Sequence, residues 1–351
     1  MSDSLTKVTI VVVPRDRFSS IGDCVRSIIE NTDEPYRLVI LDFGYSDSQL
    51  RKIREIAGER LSKIVHCGRT IPLAAFQSFL PEIQTPYVAW IDNDTFVTSG
   101  WLTALLNRSA HEAVPRARVI LPVTLEREGL DIDSRGIPLR NHISHSELRG
   151  VSVNGETFVF DHKPYRRAAP EVLPQEPHTV DFFELHTFFA ETEVLRQLSY
   201  PRMVVREHVD LGIQLHNLGI DIWCEPKSVV LFDNIHNRPS LSDLRFFLFR
   251  WNEKLIDQSH QLFYDRWGYR FLNEQFLKNW AFRRKVYSVC RFFGLPQYPS
   301  DFVSRVMNKL FRPPLPKLIL GDALSQSTRI FHPEPCDRPE NSSSACQPIR
   351  N

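Results

Sequence analysis

Between residues 7 and 123 the chain repeats one pattern: a short β-branched or apolar run, then a stretch whose apolar residues recur at helical spacing. The strand-like runs fall at 7–13, 37–41, 63–66, 87–91 and 118–123. After the first of them, Ile21, Val25, Ile28 and Ile29 place one apolar face on a helix. A second helix is expected over 48–57, capped by Ser48 and stopped by Gly58, and a third over 71–80, while Gly100 opens a fourth. Strands separated by helices are joined by crossovers, which lay the helices on the faces of a mostly parallel sheet. The fold class is therefore α/β, with helices on both faces of that sheet.

Beyond this block the periodicity changes. Residues 124–180 are rich in proline, histidine and arginine and read as a long excursion outside the sheet. Regular patterning returns at 182–191, with a helix over 207–218 and strands near 222–223 and 229–232. From 241 to about 310 aromatic-rich helices are expected, one of them carrying FFLFRW at 246–251. Prolines and serines then accumulate, and 321–351 has the composition of a disordered tail. These boundaries divide the 351 residues into a main domain at 1–240, a helical region at 241–320 and the tail.

Charge and cysteine usage narrow the function classes. Forty-three lysines and arginines nearly cancel forty-two aspartates and glutamates, so no global field selects nucleic acid, and phosphate recognition has to be local. Cys24, Cys67, Cys224, Cys290, Cys336 and Cys346 are scattered without C-x-x-C pairing, which disfavours a zinc cluster or a disulfide framework and suits reduced thiols. The start, MSDSLTKVTIVVV, lacks a cationic region followed by a signal-length apolar run, and no apolar stretch reaches ~18 residues. A cytoplasmic protein is the expectation.

In open parallel sheets ligands sit beyond the carboxyl ends of the strands. Here those ends carry Pro14-Arg15-Asp16-Arg17, Asp42, Arg69 and Asp92-Asn93-Asp94. Two carboxylates at i and i+2 just past a strand can offer oxygens to a hard cation such as Mn²⁺ or Mg²⁺, which diphosphate oxygens can share. An acidic turn that binds nothing has the same sequence, so position gives the motif its weight.

Four segments in order, over 6–232, resemble family 2 glycosyltransferases of the GT-A (Rossmann-like) fold. KVTIVVVPRDR is similar to the first strand and nucleotide loop of that family, and YRLVILDFGYSD to its "vDdgSxD" segment. TPYVAWIDNDTFVTSGWL resembles its D-x-D segment, and REHVDLGIQLHNLGIDIW its later E-D helix. The resemblance implies an inverting, metal-dependent transferase that moves a sugar from a nucleotide-diphosphate sugar to an acceptor hydroxyl in polysaccharide or glycoconjugate biosynthesis. Asp42 would contact the base, Asp94 would be the principal carboxylate on Mn²⁺ or Mg²⁺, and Asp92 would approach the metal or ribose. Pro14, Arg15, Arg17 and Asn93 would line the nucleotide-sugar site, with Arg15 or Arg69 on the diphosphate. The acceptor, lipid-linked or a small molecule, would enter beside the 124–180 excursion.

One departure stands out. The family's E-D pair reads Glu207-His208 here, so the base that takes the acceptor proton is Glu207, His208 or Asp210. Loss of that aspartate leaves as the alternative a catalytically silent relative that serves as a binding module or scaffold. No G-x-G-x-R loop follows the first strand, which disfavours a nucleotidyltransferase. His236, just past 229–232, is a candidate third metal ligand, and His186 a candidate for the acceptor pocket or the core. Trp90 and Trp101 read as core, Trp223 and Trp251 as core or as sugar platforms. Finally, Phe302, Val303, Val306, Leu310 and Phe311 are expected to share one helix face, with Arg305, Lys309 and Arg312 nearby. That pattern fits either a helix packed on the main domain or one resting on a membrane surface.

Overall fold

A computed structural model describes residues 6–111, 116–127, 139–142, 147–149, 159–161, 176–180, 183–232, 238–267 and 274–313. Most of the 124–180 excursion, the 321–351 tail and His236 lie outside the described residues.

The first half builds as its periodicity demands. β1 (Val8–Val13), β2 (Tyr36–Asp42), β3 (Leu61–His66) and β4 (Tyr87–Asp92) alternate with α1 (Ile21–Asn31), α2 (Asp47–Ala57) and α3 (Pro72–Phe79). These strands pair in parallel in the order β3-β2-β1-β4, and every β1 side chain is buried because helices cover both faces. α2 starts one residue earlier than expected. Its cap is Ser46, whose hydroxyl accepts from Gln49 N at 3.3 Å while Gln49 Oε1 accepts from Ser46 N at 2.9 Å, a reciprocal box that Ser48 cannot form from inside the helix. Gly58 ends the helix at φ 52°, a left-handed conformation that suits glycine.

The second half makes the sheet mixed. After β5 (Thr95–Val97), α4 (Trp101–Ala110), β6 (Val119–Arg127), β7 (Leu139–His142), β8 (Glu147–Arg149), β9 (Val159–Asp161) and β10 (His178–Val180) come β11 (Thr187–Glu191) and α5 (Thr192–Gln197). β11 runs antiparallel between β4 and β6, with Thr187 opposite Ile91 and Phe189 opposite Ile120. α6 (Glu207–Asn217) then leads to β12 (Ile222–Phe232), parallel to β6. The two short strands expected at 222–223 and 229–232 are one strand with an irregularity between Glu225 and Val229. Pro226 cannot donate to a ladder there, and Lys227 N turns to Glu225 Oε1 at 3.0 Å.

Four helices complete the described chain: α7 (Leu241–Arg250), α8 (Glu253–Trp267), α9 (Glu274–Phe292) and α10 (Gln297–Phe311). Of these, α7, α8 and α9 dock on the sheet domain, and α10 packs on α9. Phe247, Trp251, Ile256 and Ala281 form a small buried cluster with Ile71, Val204 and Val205. Asp243 of α7 accepts from Phe18 N at 2.6 Å and Ser19 N at 3.1 Å, gripping the loop that follows β1.

Candidate functional site

The carboxyl ends of β1 and β4 lie side by side, because Val13 is in register with Asp92. Asn93 ties the two loops together: its N–H donates to Val13 O at 2.9 Å, its Oδ1 accepts from Arg15 N at 3.1 Å, and its Nδ2 donates to Arg17 O at 2.5 Å. Asn93 is thus committed to holding the loop, and its flanking carboxylates point elsewhere.

Asp92, Asn93 and Asp94 are all buried. The antiparallel entry of β11 brings His186 next to them, and Asp92 N donates to His186 O at 2.8 Å. One ligand atom each from Asp92, Asp94 and His186 lie within 4.8 Å of one another. Asp92 Oδ1 accepts from Trp90 Nε1 at 3.0 Å, whereas Asp92 Oδ2 and Asp94 Oδ1 are buried without a hydrogen-bond partner. Buried oxygens of this kind are costly unless something else satisfies them. Burial raises the Asp92 carboxyl to about 7 against the pull of Arg15. Asp94 is raised to about 7 by the same burial and by Asp92, with Arg17 opposing. Two carboxylates and an imidazole, converging and with oxygens to spare, fit a divalent cation.

Arginines surround this centre. Arg15 lies with Nε 3.5 Å from Asp92 Oδ2 and Nη1 3.3 Å from Glu207 Oε1. Arg250, at the end of α7 and only 2% exposed, pairs with Asp16 and lies 3.7 Å from Glu207 Oε1. Arg284 of α9 approaches Asp16 at 3.8 Å, and Trp251 Nε1 donates to the same carboxylate at 3.0 Å. Burial would raise Asp16, but Arg250, Arg284 and Arg15 hold it down at about 2. Beside Asp94 opens a cleft lined by Asp16 and Arg17 and by Phe247, Tyr287 and Arg291.

The base candidates part company. Glu207 begins α6 behind Arg206, whose φ of 68° is the one left-handed non-glycine among the described residues. Such strain gathers at functional sites, and here it turns Glu207 inward to the arginines. One Glu207 oxygen faces Arg15 and Arg250, and the other is buried without a hydrogen-bond partner. His208 points to Glu184, with Nε2 4.0 Å from Glu184 Oε1. Asp210 is held on the far side of α6: Oδ1 accepts from Arg266 Nε and Trp267 Nε1, each at 2.7 Å, and Oδ2 from Gln214 Nε2 at 2.6 Å. It joins α6 to α8 and does not reach the cluster.

Other expected residues sit further out. Pro14 is buried at the end of β1. Asp42 shapes its own turn, with Oδ1 accepting from Gly44 N at 2.8 Å and Tyr45 N at 2.7 Å and Oδ2 meeting His66 Nδ1 at 2.6 Å. The Arg69 guanidinium lies 5.6 Å over the Phe249 ring. Trp90 and Trp101 are fully buried. Sequence reasoning missed Arg250 and Arg284. For Arg250 a trace existed, since an arginine inside the apolar run FFLFRW needs a buried partner; for Arg284 there was none.

Residues 9–143 match the model of a family described as Glycosyl transferase family 2. The matched segment contains Asp42, Asp92 and Asp94 and ends before His186, Glu207 and Arg250. No curated protein matches the chain.

Proposed function

We propose that the chain, whose segment 9–143 matches the Glycosyl transferase family 2 model, transfers a sugar from a nucleotide-diphosphate sugar to an acceptor hydroxyl with inversion, assisted by a divalent cation at Asp92, Asp94 and His186. The observation that carries this reading is the pair of buried carboxylate oxygens without hydrogen bonds, turned toward a histidine. Two carboxylates with one imidazole suit Mn²⁺ somewhat better than Mg²⁺. When bound, the cation would offset diphosphate charge and so ease departure of the leaving group.

The remaining work falls to the chain's own groups. Arg15, Arg17, Arg250 and Arg284 crowd the loop after β1 and would bind the diphosphate, the last two by exchanging Asp16 for phosphate oxygens. Asp42, buried at the end of β2, would meet the base, with its turn holding it in place. Glu207 is the proposed base. Its Oε1 is anchored by two arginines, which leaves Oε2 to take the acceptor proton as the hydroxyl attacks.

The test is a panel of nucleoside diphosphates and their sugars, scored by Mn²⁺-dependent thermal stabilisation and then by release of free diphosphate with and without candidate acceptors. Stabilisation by a nucleotide only when Mn²⁺ is present supports the cation site. Metal-dependent binding without any turnover would favour a silent binding module instead.

A further inference from the structure

α10 has two unlike faces. Its inner face packs on α9 through Ser300 and Ser304, both fully buried. On its outer face Tyr298, Phe302, Val306 and Leu310 stand four residues apart and so form one ridge along the helix. They are 73%, 67%, 39% and 69% exposed, and Phe293, just before the helix, is 72% exposed. Contiguous apolar surface of this kind on a folded domain marks an interaction site.

The charges beside the ridge are mostly positive. Arg305 and Lys309 fall on the same side of the helix and are both exposed. The acid nearest them, Asp301, lies 2.7 Å from Arg305 and 3.3 Å from Arg283. Val303 and Phe311, expected on the same face, lie off the ridge by helical geometry.

We propose that the outer face of α10 docks on an anionic lipid bilayer, with Tyr298, Phe302, Val306 and Leu310 in the interface and Arg305 and Lys309 toward the headgroups. An apolar ridge flanked by cations is how a helix lies in a membrane surface. A second copy of this chain fits less well. A two-fold contact would bring the predominantly positive flanks of two such ridges together, like charge beside like charge. The docking is independent of the chemistry at Asp92. Its consequence for substrate rests on the transferase reading: α9, which carries α10, also presents Tyr287 and Arg291 to the cleft beside Asp94, so a docked α10 would hold that cleft near an amphiphilic acceptor.

Flotation at low salt tests the docking, with vesicles of phosphatidylcholine alone and of phosphatidylcholine mixed with phosphatidylglycerol. The full chain is expected to float with the anionic vesicles and to sink when salt is raised. A Phe302→Gln/Leu310→Gln variant should lose at least about tenfold in binding with its Tm unchanged. An Arg305→Gln/Lys309→Gln variant should bind anionic vesicles no better than neutral ones. The proposal is overturned if the full chain stays at the bottom with anionic vesicles, or if either variant floats as well as the parent. A concentration-dependent dimer that Phe302→Gln/Leu310→Gln dissolves, without flotation, would give the ridge to a second copy and overturn it too. Mn²⁺-dependent nucleotide binding, measured on the same samples, keeps the two readings separate: a chain that floats yet binds no nucleotide retains the docking and loses the donor site.

Discussion

The carboxyls of Asp92 and Asp94 carry opposite burdens with and without a cation. Each is raised by burial from 3.8 to about 7, so the folded protein takes up protons that the unfolded chain releases. Their contribution to stability is therefore fully present below 3.8 and is lost as pH rises through about 7. A cation that needs both groups ionised should reverse the trend. Thermal unfolding followed from pH 5 to 8 is expected to show Mn²⁺ stabilisation that grows through ~7, and Asp94→Asn should flatten it. An equal Mn²⁺ effect in Asp94→Asn would place the cation elsewhere. At Glu207 the expectation is kinetic. Glu207→Gln keeps the contacts to Arg15 and Arg250 but cannot accept a proton, so turnover should fall ~10²–10⁴-fold with nucleotide binding preserved. Near-parental turnover in that variant, with His208→Ala inactive, would move the role to the histidine.

Among the elements, α2 and α6 show how helix starts were read and misread. Serines stand at positions 46 and 48, and the pattern alone favoured the one nearer the apolar run. Only Ser46 precedes Gln49 by three residues, the spacing of a capping box. Ser46→Ala should cost ~1 kcal/mol in urea unfolding, while Ser48→Ala should stay within about 0.5 kcal/mol. Equal costs would contradict the assigned cap. At α6 the helix register puts Glu207 and Asp210 one turn apart, yet one meets the arginines of the site and the other is consumed by Arg266 and Trp267. Nothing in REHVDLG distinguishes those fates, because the partners arrive from elements that the local pattern does not mention.

In the molecule as a whole, the helices after residue 240 complete the site. Arg250 reaches Asp16 across 234 positions of sequence, and with Arg284 it joins the helical region to the loop after β1. Arg250→Met should leave Glu207 and Asp16 poorly compensated and lower stability by roughly 3 kcal/mol, with diphosphate affinity falling alongside. Calorimetry with and without nucleotide would check both; an unchanged unfolding profile would show that the helices do not depend on this contact. The α/β architecture, the strand ends and Asp92-Asn93-Asp94 were legible in the chain because spacing of two and of three to four residues is a local property, written wherever one face is buried. His186 as a neighbour of Asp92, Arg250 and Arg284 beside Asp16, and the removal of Asp210 to a helix–helix contact were not legible. They follow from the antiparallel insertion of Thr187–Glu191 and from the docking of α7 to α9, and such contacts between distant segments are settled by packing rather than by any local period.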